Sequence, residues 1–285
     1  MDVVATIRAT LSYARKFTGS TVLIKLGGAA LEDKELATAI CEDLSLIRSM
    51  GLNVILVHGG GPSINKELTS KGIQWSFLDG QRITTPEMMD TIEMVLCGFV
   101  NRRIVRSLNR FGIPAVGFSG ADAKTLFCKQ SSPDLGQVGE ILSVNAEFIR
   151  SVLNAKAEPG AGTIPVIAPI GIGVNGESYN INADWAAVRI AQALEAPKVI
   201  FLTDQSGILD TEGKLIQRLS PSYLEDLIGS GVVKGGMLAK VRTILYALNN
   251  GIRDVHVLNA RRPHVLIEEL FTDEGVGTVC RREGL

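Results

Sequence analysis

Three glycine-rich stretches each follow a short apolar strand pattern: TVLIKLGG at 21–28, VILVHGGGP at 54–62 and VVKGGMLAKV at 232–241. Two of them carry lysine. Backbone N–H groups bared by glycine cradle an anion, and a nearby ammonium supplies the point charge that a transferring phosphoryl group needs. The first chemistry to consider is therefore phosphoryl transfer.

Lys25 closes an apolar strand pattern with Gly27 and Gly28 just beyond it, so its ammonium can project over the carboxyl edge of a sheet. A lone strand-end lysine is more often solvated surface; the glycine pair argues for phosphate. Gly59, Gly60 and Gly61 precede Pro62 with no Lys-Ser or Lys-Thr after them, so the run is neither a Walker loop nor a dinucleotide fingerprint. His58 could serve as a base, but a histidine wedged between an apolar strand and a glycine turn is more often structural. GIGVNG at 171–176 formally matches the dinucleotide fingerprint, yet ESYNIN follows where a helix should open. Asn180, Asn182 and Asp184 precede a helical stretch; capping accounts for one of them and leaves others for a ligand. Asp204 and Gly207 follow another apolar run and suit a nucleotide contact. Lys234, Gly235 and Gly236 open a helix carrying Lys240, which sets positive charge toward the same edge, although exposed helix lysines are usually inert.

The elements that must position these groups read as α/β. Apolar runs at 21–26, 54–58, 114–118, 164–170, 198–203 and 254–258 alternate mostly with amphipathic stretches, as a doubly covered parallel sheet requires. Thr85 and Pro86 open a helix that stops near Gly112, and another runs from about Gly236 to Asn250. The runs at 125–129 and 138–144 suggest a hairpin excursion. A lobe boundary falls near 156–163, dividing an N-terminal lobe, 19–160, from a C-terminal one, 161–285. Residues 2–17 place Val3, Ile7, Leu11 and Ala14 on one helical face, for which packing on the same domain and on another subunit are both open.

At 285 residues the chain is near the upper size for one core. A formal charge of −1 gives no global field for nucleic acid or anionic membrane, so an anion site must be local. The four cysteines are scattered without metal or redox spacing, and no apolar run approaches the ~20 residues of a membrane span. The expectation is a cytoplasmic protein with reduced thiols.

Taken together, IKLGG, VHGGGP, GQRIT at 80–84, VGFSG at 116–120, IPVIAPIG at 164–171, YNINAD at 179–184, LTDQSGIL at 202–209 and KGGMLAKV at 234–241 resemble the amino acid kinase family from about residue 20 to 280. The nearest branch phosphorylates the γ-carboxylate of N-acetyl-L-glutamate in arginine biosynthesis. The resemblance implies a three-layer αβα sandwich around a mainly parallel open sheet, with the amino acid held by the N-terminal lobe and ATP, with Mg²⁺, by the C-terminal lobe. It implies that Lys25 and Lys240 stabilise the transferring group and that Asp184 orients both. Gly28, Gly60 and Gly61 would donate N–H groups toward phosphate and substrate, while Arg82 and Asn180 would hold the substrate. Asp204, Gly235 and Gly236 would face the nucleotide. A γ-carboxylate is ionised at neutral pH, with a pKa of about 4.3, so no general base is needed.

Trp185, Gln81 and Ala121 stand where this family commonly has a small residue or Thr, a Leu and a Lys, and they bear on pocket shape. The helix at 2–17 resembles one that, at 1–18, interlaces dimers into a hexamer, and His256, Glu269 and Gly275, with Tyr13, resemble an L-arginine effector site. The alternative for the C-terminal stretch is a plain last helix and strand. Two rivals remain: a kinase of N-acetyl-aminoadipate, one methylene longer, and an amino-acid sensor without turnover.

Overall fold

A computed structural model describes residues 18–27, 33–155, 162–272 and 275–282. Gly28, Tyr13 and the helix expected at 2–17 lie outside the described residues, as does most of the expected lobe boundary.

The strands form three sheets, of which the largest takes up the near-continuous apolar runs. Along the chain the strands are β1 (Thr21–Leu26), β2 (Asn53–His58), the two-residue β3 (Phe77–Leu78) and β4 (Gln81–Arg82), β5 (Ala115–Ser119), β6 (Leu126–Gln130) and β7 (Gly139–Val144). They continue as β8 (Ile164–Ala168), β9 (Ile170–Ile172), β10 (Ser178–Asn180), β11 (Lys198–Thr203), β12 (Arg218–Leu219), β13 (Asp254–Asn259) and β14 (Thr278–Arg281). The large sheet runs β12-β14-β13-β11-β1-β2-β8-β5, parallel apart from the β13–β14 pair. The expected hairpin excursion is present as β6 and β7, extended by β9 and β10 into a second sheet, and β3 pairs with β4 in a small hairpin. The segment 171–176 enters that second sheet through β9 and a turn, with no helix opening there.

The helices are α1 (Lys34–Ser49), α2 (Gly61–Ser70), α3 (Pro86–Glu93), α4 (Asn101–Arg110), α5 (Ala146–Asn154), α6 (Ala183–Ala193), α7 (Pro221–Gly229), α8 (Gly235–Asn249) and α9 (Val265–Phe271). The stretch expected as one helix from Pro86 to about Gly112 is continuous, but its middle turns, Met94–Val100, widen into π geometry between α3 and α4.

Period-two alternation divides the core into two layers. Val22, Ile24 and Leu26 face the side packed with Leu44, Ile64, Leu96 and Leu266; Leu23 faces the side packed with Ala187, Val241 and Phe201. Lys25 has the parity of Leu23, so it points toward the layer that holds α6 and α8. After β1 the chain moves to β2 on one side, and after β11 it moves to β13 on the other. The carboxyl ends of the adjacent β1 and β11 are therefore a topological switch point, where open α/β sheets hold ligands.

The sheet does not part at residue 161. β8 follows that point in sequence yet is inserted between β2 and β5, and its all-buried pattern reflects cover on both faces of the sheet. Both expected lobes thus contribute to one sheet.

Candidate active site

Asp184 lies in the first turn of α6, whose N-cap Asn182 accepts from the Asp184 and Trp185 N–H groups. Asn182 is thus the capping residue of the polar trio. Capping turns the Asp184 carboxylate toward the switch point, where it meets both candidate lysines. Lys25 Nζ stands 2.9 Å from Oδ1 as an ion pair outside good hydrogen-bond geometry, and Lys240 Nζ donates a short hydrogen bond to Oδ2. The side chains are 14%, 14% and 9% exposed for Lys25, Asp184 and Lys240. Burial disfavours the charged carboxylate, but the ammonium groups of Lys240 and Lys25 outweigh it and hold Asp184 well below the carboxylate range. Burial pushes Lys240 below the ordinary lysine value, with Asp184 opposing the shift and Lys25 adding to it. The Lys240 ammonium also lies 4.9 Å from the centroid of the Phe201 ring.

Among the described residues, the N-termini of α2 and α8 have no side-chain cap. Gly60 caps α2 and Lys234 caps α8. A Cβ at Gly61, Gly235 or Gly236 would meet no described atom within 4 Å, so these backbones border open space. Gly27 instead packs closely: its N–H donates to Leu202 O at 2.9 Å, and a Cβ there would sit 2.8 Å from that oxygen. Asp204 is exposed just past β11, with Thr203 Oγ1 donating to it at 3.2 Å.

Arg82, on β4, is buried, with one arm donating to Asn65 Oδ1 and the guanidinium carbon 4.7 Å and 5.3 Å from the Phe77 and Trp75 ring centroids. Its Nη1 finds no hydrogen-bond partner among the described residues. A buried guanidinium nitrogen without an acceptor is a place for a ligand carboxylate. Asn180 Nδ2 donates to Thr84 Oγ1 at 3.0 Å, and Thr84 Oγ1 donates to Arg82 O at 2.9 Å, so Arg82 and Asn180 share one hydrogen-bond chain. Asn65, Thr84, Trp75, Phe77 and Phe201 were not singled out by sequence; only the aromatic pair at the start of the hairpin that carries Arg82 gives a local signal.

The effector candidates also gather. His256 on β13 contacts Glu269 Oε1 through Nδ1 at 2.5 Å, and Glu269 Oε2 accepts the N–H groups of Val276 (2.8 Å) and Gly277 (3.2 Å). Gly275 has φ +60°, and a Cβ there would lie 3.1 Å from Glu269 Oε2. Burial pushes the His256 imidazole below its ordinary value against the pull of Glu269. Both Glu269 oxygens already hold partners from the fold. Among the departures from the family pattern, Trp185 packs edge-on against Tyr246 of α8 with centroids 4.9 Å apart.

A model of the amino acid kinase family matches residues 20–259. The chain is 42% identical over 295 residues to the acetylglutamate kinase of Marinobacter nauticus, an alignment spanning 99% of this chain and 100% of that one. It is 40% identical over 297 residues to the acetylglutamate kinase of Hahella chejuensis, spanning 100% and 96%. Among solved structures, the N-acetylglutamate synthase from Neisseria gonorrhoeae complexed with coenzyme A and N-acetyl-glutamate gives a TM-score of 0.87 at 24% identity. That match covers all of this chain and 65% of the synthase. Giardia carbamate kinase gives 0.68 at 16% identity, over 93% of this chain and 99% of that one. At such identities the likeness to these structures is one of fold.

Proposed function

This chain belongs to the amino acid kinase family, and we propose that it phosphorylates the γ-carboxylate of N-acetyl-L-glutamate, an acetylglutamate kinase step of arginine biosynthesis. The observation that carries the reading is the convergence of Lys25 and Lys240 on Asp184 at the sheet's switch point. The transfer takes ATP as donor: a γ-carboxylate oxygen of the substrate forms a bond to the γ-phosphorus while the bond to the β,γ-bridging oxygen breaks, and ADP leaves with that electron pair. No proton moves, because the carboxylate is already ionised. A buried His58 is consistent with this, since nothing in the reaction asks for a base.

The two lysines take up charge developing on the transferring group, and Asp184 aims both and opposes the burial that lowers Lys240. Backbone N–H groups at Gly60 and Gly61 are assigned to phosphate and substrate, and those at Gly28, Gly235 and Gly236, with Asp204, to the nucleotide side. The orphaned Arg82 Nη1 suits the substrate α-carboxylate, with Asn180 beside it. Among the described residues no group of three or more His, Cys, Asp or Glu is placed to hold a metal. Mg²⁺ would therefore arrive on the nucleotide, neutralising phosphate charge there.

L-arginine inhibition through His256, Glu269 and Gly275, with Tyr13, and a cytoplasmic homo-oligomer belong to the same reading. No helix among the described residues is long and apolar enough to cross a membrane. The test is ADP release with N-acetyl-L-glutamate and N-acetyl-aminoadipate side by side, with and without arginine. Release that depends on the glutamate derivative is expected; release with neither acid, or with the longer one alone, rejects the assignment.

A further inference from the structure

His58 ends β2 and is fully buried, yet it is neither general base nor inert filler. Its Nδ1 lies 2.9 Å from Gly59 O, and a carbonyl oxygen only accepts, so Nδ1 carries the proton. Nε2 is then a lone-pair acceptor. The group facing it at 3.1 Å is Asn101 Nδ2, which also donates to Val166 O at 2.9 Å, while Asn101 Oδ1 accepts from Arg102 Nη2. Each donor in this chain meets an acceptor, which fixes both the Asn101 amide and the His58 tautomer. Burial lowers the His58 pKa to about 4, so the imidazole stays neutral at working pH.

The consequence falls on the glycine loop. Gly59 N–H donates to Leu26 O at 2.9 Å, and Gly59 C=O is held by His58, so both polar groups of Gly59 are pinned. The described chain has no cis peptide bond. In a planar trans peptide C=O and N–H point in opposite directions, so turning Gly59 C=O toward the imidazole turns Gly60 N–H away from it. Leu96 closes the loop from beneath: a Cβ on Gly60 would stand 2.6 Å from its Cδ2. Asn101 reaches His58 from the first turn after the π segment.

We propose that His58, held as the Nδ1–H tautomer by Asn101, is a positioning residue that aims the Gly60 N–H at the transferring phosphoryl group. It rests on the kinase reading above for the identity of that group. Two neutral replacements separate aim from packing. The side-chain amide of Asn places a donor near the position of Nδ1, whereas Gln places its amide near Nε2, fills more of the volume and leaves Gly59 O without a donor.

With the full-length enzyme, His58→Gln should lower kcat on the order of 10- to 100-fold with KM for N-acetylglutamate little changed, as for a mis-aimed oxyanion donor. His58→Asn should retain most of kcat although its smaller side chain lowers Tm further. A purely packing role gives the opposite order, and that order, or two variants whose kcat falls in step with Tm, overturns the proposal. Proton–nitrogen correlation NMR of the wild-type imidazoles, of which the chain has only 3, reads the tautomer without turnover. Protonated Nδ1 with bare Nε2 is expected, and the reverse overturns the proposal whatever the activity. Absent ADP release from wild type with a protonated Nδ1 would instead fault the substrate reading.

Discussion

Replacing Asp184 by asparagine would leave the ammonium groups of Lys25 and Lys240 facing a neutral amide in a mostly buried site. Burial already holds Lys240 below its ordinary value and Asp184 is the main opposing charge, so its loss lowers Lys240 further. Asp184→Asn should reduce kcat on the order of 100-fold and move the alkaline limb of the kcat–pH profile to lower pH. A limb left at its wild-type position would remove Lys240 from the charge-neutralising role. His58 predicts an acid effect on stability. Its ordinary value is 6.5 and its folded value about 4, so below pH 6.5 the unfolded chain takes up a proton that the folded one refuses until about pH 4. Its contribution is complete above pH 6.5 and declines by about 3 kcal/mol as pH falls to 4. Urea unfolding at pH 7 and pH 4 should show wild type losing that much against His58→Gln; a pH-independent difference would contradict it. Lys25 stood out in sequence by its place at a strand end beside glycine, whereas Lys240 and Asp184 took their roles from the family resemblance, because a helix lysine and one of three polar residues before a helix carry little signal alone. Asn65 and Asn101 were not legible, because their roles depend on contacts 17 and 43 residues away in sequence, which no local pattern encodes.

At the scale of elements, α6 supplies Asp184 and α8 supplies Lys240, so the geometry of the proposed catalytic triad depends on how firmly the two helices are joined. Trp185 and Tyr246 join them edge to face at 4.9 Å, one residue beyond the aspartate and six beyond the lysine. Trp185→Ala removes that pair from a half-buried position, and the expected loss is about 1–3 kcal/mol from packing and ring contact combined. Trp185→Phe should recover most of it. If the pair holds the site together, kcat should fall with Trp185→Ala and return with Trp185→Phe; unchanged turnover in the alanine variant would assign Trp185 to stability alone. The long buried strands β1, β2, β8, β11 and β13 were readable as apolar runs because both faces are covered. β12 and β14 were not, since pieces of two and four residues at a sheet margin carry too little period to read. The π segment was hidden for a different reason: MVLCGFV is apolar on every side, so nothing in its pattern separates a widened turn from an ordinary one.

For the whole molecule, the expected homo-oligomer needs a surface, and the continuous helix from Pro86 to Arg110 offers one. Its solvent side carries Met94 at 51% and Phe99 at 55% exposure, with Gly98 exposed between them, beside the edge strand β5, where Val116 is 46% exposed. Charge along this side is polar in sequence: Glu87 and Asp90 are exposed before the apolar centre, and Arg102, Arg106 and Arg110 after it. A second copy laid antiparallel about a two-fold axis through Gly98 would place Asp90 near the partner's Arg106, with Met94 and Phe99 buried between the two helices, a self-complementary contact of the kind two-fold dimers use. Rim ion pairs contribute only about 0.2–1 kcal/mol each, so the apolar centre should hold the dimer and the charges should fix its direction. Phe99→Glu should therefore convert the protein to a lower mass in sedimentation velocity. Asp90→Arg should weaken association, and Asp90→Arg combined with Arg106→Asp should restore it, because an antiparallel pair regains opposite charges at both ends. Wild-type mass in Phe99→Glu would place the interface elsewhere. Failure of the charge swap with a monomeric Phe99→Glu would keep the surface and discard the antiparallel arrangement.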